Sequence, residues 1–247
     1  MYAAGTLVDI SDPLQPNNRA CSWILNDSSS PTILDLPDPA GITSAGLGGL
    51  WVENGDVFIG GVSDSGIDRK PYLWKNGTPT LLSLPDGVSE GRVYGMYYSA
   101  GTLYLSGFYT DTSAIIPCYW TFDPTEGTST IHDLSGYKQN TYNLAIAPFA
   151  YETTVYIGGG LGIPDADGWT PTYWKNGSPV PVPLPSGYTG GLVMDLTVRD
   201  GIVYLTGFYG DPEGVGSQAF IWNGATKLTV NSPDGVQGTQ IFAITVE

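Results

Sequence analysis

The stretch Val155-Tyr-Ile-Gly-Gly159, followed by Tyr173-Trp-Lys-Asn-Gly177, decides the fold, because both halves recur along the chain. The first half is a short apolar strand ending in glycine. Its other copies are Met1-Tyr-Ala-Ala-Gly5, Val57-Phe-Ile-Gly-Gly61, Leu103-Tyr-Leu-Ser-Gly107 and Val203-Tyr-Leu-Thr-Gly207. A tryptophan follows each copy after 13 to 18 residues: Trp23, Trp74, Trp120, Trp174 and Trp222, spaced 51, 46, 54 and 48 residues apart. Running from Trp222 off the C-terminus and back to Trp23 takes another 48 residues, so the 247-residue chain holds a whole number of repeats, five. A repeat whose sheet faces cannot be buried alone buries them against its neighbours, and a closed ring buries them all.

The second repeat shows the grammar. Leu50-Trp-Val-Glu53 reads as a strand, Asn54-Gly55 as a tight hairpin turn, and Asp56 to Gly61 as the next strand. A polar loop, Val62 to Lys70, leads to Pro71-Tyr-Leu-Trp-Lys75; Asn76-Gly77 then turns the chain into Pro79 to Leu84. Asp200-Gly201 matches the first of these turns, and Trp222-Asn-Gly224 is expected to keep the second. The third repeat departs by a longer turn on Asp123-Pro124. Four antiparallel strands with short turns on one edge and long loops on the other make a propeller blade. The expectation is an all-β chain: a five-bladed β-propeller of four-stranded antiparallel blades, one domain over residues 1–247. The chain starts on a second strand, and Gln240-Ile-Phe-Ala-Ile-Thr-Val246 reads as a first strand. Pairing of Gln240–Glu247 with Met1–Leu7 is therefore expected to close the ring and hide both strand edges. An open array is the alternative.

Through Val155-Tyr-Ile-Gly-Gly159 and Tyr173-Trp-Lys-Asn-Gly177 the chain resembles a group of bacterial, mostly exported, propeller-like proteins with Tyr-Trp-Lys-Asn-Gly repeats. It is more loosely similar to kelch repeats, whose strand also ends in Gly-Gly. The kelch spacing between Tyr and Trp is not kept, since Tyr173 and Trp174 are adjacent. The resemblance implies a fold, an export route to the periplasm, cell surface or exterior, and a binding role. It carries over no catalytic residues.

Composition narrows the partners. With 24 acidic and 9 basic side chains the formal charge is −15, which repels phosphate backbones and argues against nucleic acid and anionic membranes. No apolar run reaches the ~18 residues that span a bilayer. Met1 stands where other copies carry Val or Leu, which reads as a start residue added after removal of a leader. Cys21 and Cys118 each lie two residues before a repeat tryptophan, in the first and third repeats. Bridging needs Cα atoms within about 7 Å, which non-adjacent blades do not offer, so both thiols are expected free and buried.

The repeated tryptophans, with Pro or Ala three residues earlier, read as wedges between blades and not as a sugar-stacking ladder. The long loops vary most between repeats and are the expected binding face. They and the passages between repeats collect 13 of the 24 carboxylates, Asp64, Asp111 and Asp211 among them. A solvated rim that keeps the protein soluble is the plain alternative. Exposed aromatics there, Tyr109, Trp169 and Tyr209, are the candidate ligand contacts, and Trp169 has no counterpart in other repeats. Aromatic faces beside carboxylates suit sugar rings, so the expected partner is a carbohydrate or a protein surface. Asp165-Ala-Asp-Gly168 has the carboxylate spacing of part of a calcium loop, so Asp165 and Asp167 are candidate Ca²⁺ ligands. A full loop needs about six to eight oxygens.

A glycosidase is the alternative function, because it needs paired carboxylates roughly 5–10 Å apart. Asp195, on a first strand where Gly49, Gly95 and Ala243 are matched, is the one anomaly; capping of backbone amides is the simpler role for it. Gly158-Gly-Gly-Leu-Gly162 follows a strand but opens no helix, so a dinucleotide site lacks its context.

Overall fold

The computed structural model describes residues 2–9, 17–24, 32–35, 44–64, 69–112, 114–166, 168–210, 216–230 and 238–246. Among them the chain forms strands and no helix. β1 (Tyr2–Asp9), β2 (Asn17–Ile24) and β3 (Thr32–Asp35) come first. Next are β4 (Ser44–Glu53), β5 (Asp56–Asp64), β6 (Arg69–Lys75) and β7 (Thr78–Leu81), then β8 (Glu90–Ser99), β9 (Thr102–Thr110), β10 (Ile115–Asp123) and β11 (Thr128–Asp133). The last eight are β12 (Leu144–Tyr151), β13 (Thr154–Gly162), β14 (Trp169–Lys175), β15 (Ser178–Pro181), β16 (Gly191–Arg199), β17 (Ile202–Tyr209), β18 (Gln218–Trp222) and β19 (Lys227–Thr229).

From β4 onward each successive group of four strands forms an antiparallel sheet in chain order. The first three strands form a smaller antiparallel set, joined to β4 by one parallel pair, Asn18 with Ser44. The all-β reading and its repeating four-stranded sheet hold. The chain divides into two compact units, Met1–Thr110 with Trp120–Ile131, and Asp111–Tyr119 with His132–Glu247.

The same irregularity marks the first strand of every four-stranded sheet. Register shifts between Leu47 and Gly49, Val93 and Gly95, Ala145 and Ala147, and Val193 and Asp195. Each is a bulge, one extra residue against the partner strand. Just before each bulge, the carbonyl oxygens of Gly46, Arg92, Leu144 and Leu192 press on the Cα of Gly61, Gly107, Gly159 and Gly207, where an added Cβ would overlap them. The strand-ending glycine of the repeat is therefore fixed by a backbone contact.

Three of the repeat tryptophans are core residues, Trp74, Trp120 and Trp174 at 1%, 0% and 0% exposed, whereas Trp222 on β18 is half-buried. Burying an indole removes ~150–250 Å² from water, of the order of 4–6 kcal/mol each against an extended chain. In the first unit the Trp120 indole N–H donates to the Ser83 carbonyl at 2.7 Å, reaching the passage that follows the preceding sheet. In the second unit Trp174 donates likewise to Ser135 O at 2.8 Å. The prolines three residues before these tryptophans lack an N–H but use their carbonyls: Pro71, Pro117 and Pro171 accept from Leu82, Leu134 and Val182 at 3.0, 2.9 and 2.8 Å.

The Asn-Gly turns carry the expected positive φ pair, 49° and 88° at Asn54-Gly55 and 50° and 82° at Asn76-Gly77. Asn76 and Asn176 add a role of their own, since their side-chain oxygens accept the N–H of Val57 and Val155 at 2.9 Å. Asn223-Gly224 differs. Asn223 accepts from Thr226 N–H at 2.8 Å and heads a four-residue connection between β18 and β19. At the longer turn after β10, Asp123 accepts the N–H groups of Thr125 and Glu126, and these hydrogen bonds hold its carboxyl below the usual value.

One expected strand is missing. Residues 238–246 are described and carry no strand, so the pairing of Gln240–Glu247 with Met1–Leu7 lacks its partner, and no sheet closes among the described residues. Thr239 N–H makes one backbone bond, to Ser217 O at 2.9 Å, and side chains take two further backbone groups. Ile244 N–H donates to the Asp195 carboxylate at 2.8 Å, and the Thr239 hydroxyl accepts from Ala219 N–H at 3.2 Å. Cys118 is free and 0% exposed, as expected, and burial pushes its thiol well above the ordinary range. The side chain of Cys21 lies outside the described residues.

Gly159→Ala should cost about 2–3 kcal/mol, because its Cβ would strike the Leu144 carbonyl. Gly187→Ala, where only the φ of +91° is strained and no atom lies within 4 Å, should cost about 1 kcal/mol. Urea midpoints check the pair; equal losses would show that the carbonyl contact does not select glycine.

Candidate functional site

In the second unit the hairpin loop between β13 and β14 is closed by its own backbone. Ile163 N–H donates to Gly168 O at 3.2 Å and Ala166 N–H to Ile163 O at 3.4 Å. Asp165 (φ 58°) and Gly168 (φ 114°) supply the left-handed positions that such a tight path needs. The loop delivers Trp169 as the first residue of β14, opposite Gly162. Its indole N–H donates to the Tyr142 carbonyl at 2.7 Å, and the two rings lie 6.4 Å apart at 60°.

Tyr142 is held in turn by Asn143, a residue that the sequence reading did not single out. Asn143 is 0% exposed. Its side-chain N–H groups donate to Ile115 O at 2.8 Å and Thr141 O at 3.2 Å, and its oxygen accepts from Gly162 N–H at 3.0 Å. One amide thus ties the passage before β12 to the start of β10 and the end of β13. A signal for it existed. Asn143 immediately precedes the residue whose carbonyl presses on a repeat glycine, and the matched residues are Ala45, Gly91 and Gly191.

These segments border a concavity of about 1400 Å³. Asn140, Thr141 and Tyr142 line one side, the 162–169 loop another, and Tyr188, Thr189 and Gly190 a third. Tyr188 is anchored through its hydroxyl to Gln218 Oε1 at 3.0 Å. Tyr142 remains 43% exposed. The cavity therefore offers aromatic surface, amide and hydroxyl groups, and much bare glycine backbone.

Of the sequence-derived candidates, the structure brings Trp169 and Asp165 together at this concavity. Tyr109 and Tyr209 need correction: expected as exposed loop aromatics, they are 5% and 1% exposed on β9 and β17. Each lies on an inner strand, flanked by a partner on both sides, and β17 is buried continuously over its last five residues. Tyr209 stacks on Phe220 at 4.3 Å, and its hydroxyl donates to Pro183 O at 3.4 Å. Burial pushes that phenol up to about 12. Asp111 caps its own turn, accepting from Ala114 N–H at 2.8 Å. Asp64 ends β5 opposite Arg69, with its side chain outside the described residues. Asp167 and Asp211 lie outside them altogether. Among the described residues no three His, Cys, Asp or Glu side chains gather to hold a metal ion.

Asp195 caps backbone amides. One carboxylate oxygen accepts from Leu196 N–H and the other from Ile244 N–H, both at 2.8 Å. Burial raises its carboxyl above the ordinary value, and the two hydrogen bonds only partly oppose this.

No family model matches the chain, and no curated protein matches it. Among solved structures it is similar to the phage phi92 endosialidase, with 14% identity, TM-score 0.48 and coverage of 94% of this chain and 48% of that one. It is similar to a sucrose-6-phosphate hydrolase of Lactobacillus gasseri at 15% identity, covering 85% of this chain and 55% of that one, TM-score 0.43. A GH32 β-fructofuranosidase of Bombyx mori gives 12% identity, 90% and 57% coverage, and TM-score 0.43. The chain spans about half the length of these proteins. Likeness at this level carries no chemistry over to this chain.

Since the folded-state value of Asp195 is raised, its stabilisation is fully present below the ordinary 3.8 and is lost as pH rises through the raised value. The melting temperature of the parent should therefore fall relative to that of Asp195→Asn as pH is raised from about 3 to about 7. A constant difference across that range would show that Asp195 is no harder to ionise folded than unfolded.

Proposed function

We propose that the chain is a carbohydrate-binding module whose five repeats are the blades of a β-propeller, with the ligand held in the concavity beside Trp169. The observation that carries this reading is the indole fixed to Tyr142 O at 2.7 Å at the edge of a 1400 Å³ hollow. Pockets for single small ligands run to about 300–1,000 Å³, so a hollow of this size suits an extended ligand of several units. Sugar rings present apolar C–H faces to aromatic rings and hydroxyls to amides, and Tyr142, Trp169, Asn140 and Thr141 offer that mixture. A neutral sugar also meets no repulsion from a chain of charge −15.

A glycan array is the direct test. Trp169→Ala and Tyr142→Ala should each weaken the bound glycan by at least about tenfold, roughly 1.4 kcal/mol. Tyr142, at 43% exposed, should leave the melting temperature unchanged when truncated. Binding unaffected by both variants would remove the site from this hollow. The glycosidase alternative is tested on the same glycans. Both oxygens of Asp195 are engaged by backbone N–H groups, so no turnover depending on Asp195 is expected, and hydrolysis abolished by Asp195→Asn would overturn the binding-only reading.

A further inference from the structure

Next to the large hollow lies a smaller one of about 440 Å³, and the two share Gly162 and Ile163 as a common wall. Its character is different. Leu161, Ile163, Pro164, Pro179 and Pro181 supply half of its lining residues, with Lys138 the one charged residue among the described ones. The floor is close-packed backbone against apolar side chain: a Cβ added at Gly136 would meet Pro179 Cγ at 2.7 Å and Leu161 Cδ1 at 3.5 Å. Thr172, also on this wall, is 0% exposed and has its hydroxyl committed to Thr170 O at 2.9 Å. The proline residues bring no backbone N–H. A sugar hydroxyl entering here would give up its water and find little in return, whereas a methyl group would gain.

We propose that this smaller cavity is the specificity subsite of the carbohydrate site, taking a sugar that bears a methyl-terminated substituent, an acetamido group or a 6-deoxy methyl. The inference rests on the reading of the larger hollow as a glycan site. The shared Gly162 and Ile163 make the two cavities adjacent, so one oligosaccharide reaching over them would set a neighbouring residue against Trp169. The volume of 440 Å³ falls inside the range of about 300–1,000 Å³ for a single small ligand.

Matched glycans that differ only in this group test it: N,N′,N″-triacetylchitotriose against cellotriose for the acetamido arm, and L-fucose-terminated against L-galactose-terminated oligosaccharides for the deoxy arm. The parent should prefer the methyl-bearing member of one pair by at least about fivefold, the scale of one buried methyl. Pro181 lines only the smaller cavity and is exposed. Pro181→Glu should abolish the preference while leaving the weaker ligand's affinity within about twofold, as a subsite of that size requires. Pro164→Asp, in the exposed loop, repeats the test should Pro181→Glu lower the melting temperature. Trp169→Ala should weaken every glycan alike. Equal binding within both pairs, still lost in Trp169→Ala, would overturn the subsite and leave the glycan site standing. Absence of binding to all four would overturn both.

Discussion

A carbonyl oxygen pressed against a glycine Cα sets the geometry on which the four-stranded sheets depend. Each first strand bulges by one residue, and the bulge drives the preceding carbonyl onto the second strand at Gly61, Gly107, Gly159 or Gly207. Any side chain there would push the two strands apart. The bulge also increases local twist, and it recurs at the same place in each sheet. Periodic glycine in this chain is a steric demand of a repeated backbone contact, and it exists independently of any turn.

Tryptophan then performs on the third strand what glycine permits on the second. Trp120 and Trp174 are fully buried, and each gives its one polar hydrogen to a carbonyl in the passage that follows the preceding sheet. An unpaired indole N–H inside a core would cost of the order of 1–3 kcal/mol, so the bond lets a large ring serve as a wedge. The Ser135 backbone and hydroxyl both donate to Gly177 O, at 3.0 and 2.8 Å, so passage and turn are fastened at the same point. In these two repeats packing and polar satisfaction therefore fall on the same few residues.

Strands, hairpin turns and wedge residues were legible because each leaves a local mark: alternation, Asn-Gly, and a large aromatic at fixed spacing. The bulges left none, since Gly48, Tyr94, Ile146 and Met194 share no side-chain property. Tyr109 and Tyr209 misled because they follow Gly-Phe at the end of a strand beside a variable loop, yet these are inner strands, and on β17 Phe208 and Tyr209 are both buried. Gln240–Val246 alternates like a strand, yet Asp195 and Thr239 engage its surroundings through side chains. A period-two pattern reports the capacity to pair and not the partner.

Departures from the repeat are more informative about function than the repeat itself. Asn143 stands where the other repeats carry Ala45, Gly91 or Gly191, and its amide is engaged by three backbone groups. Asp195 stands where Gly49 and Gly95 are found, and its carboxylate is consumed by two. In both, the side chain ties backbone segments of this chain together. Trp169 is different in kind. Its single donor is fixed to Tyr142 O, which holds the indole in place, while the ring still borders the hollow. An aromatic anchored by its polar edge is pre-organised, so a ligand stacking on it loses little to side-chain ordering. Asn143 holds the passage before β12 that carries Tyr142, and so the exception that looks purely structural is what makes the other one useful.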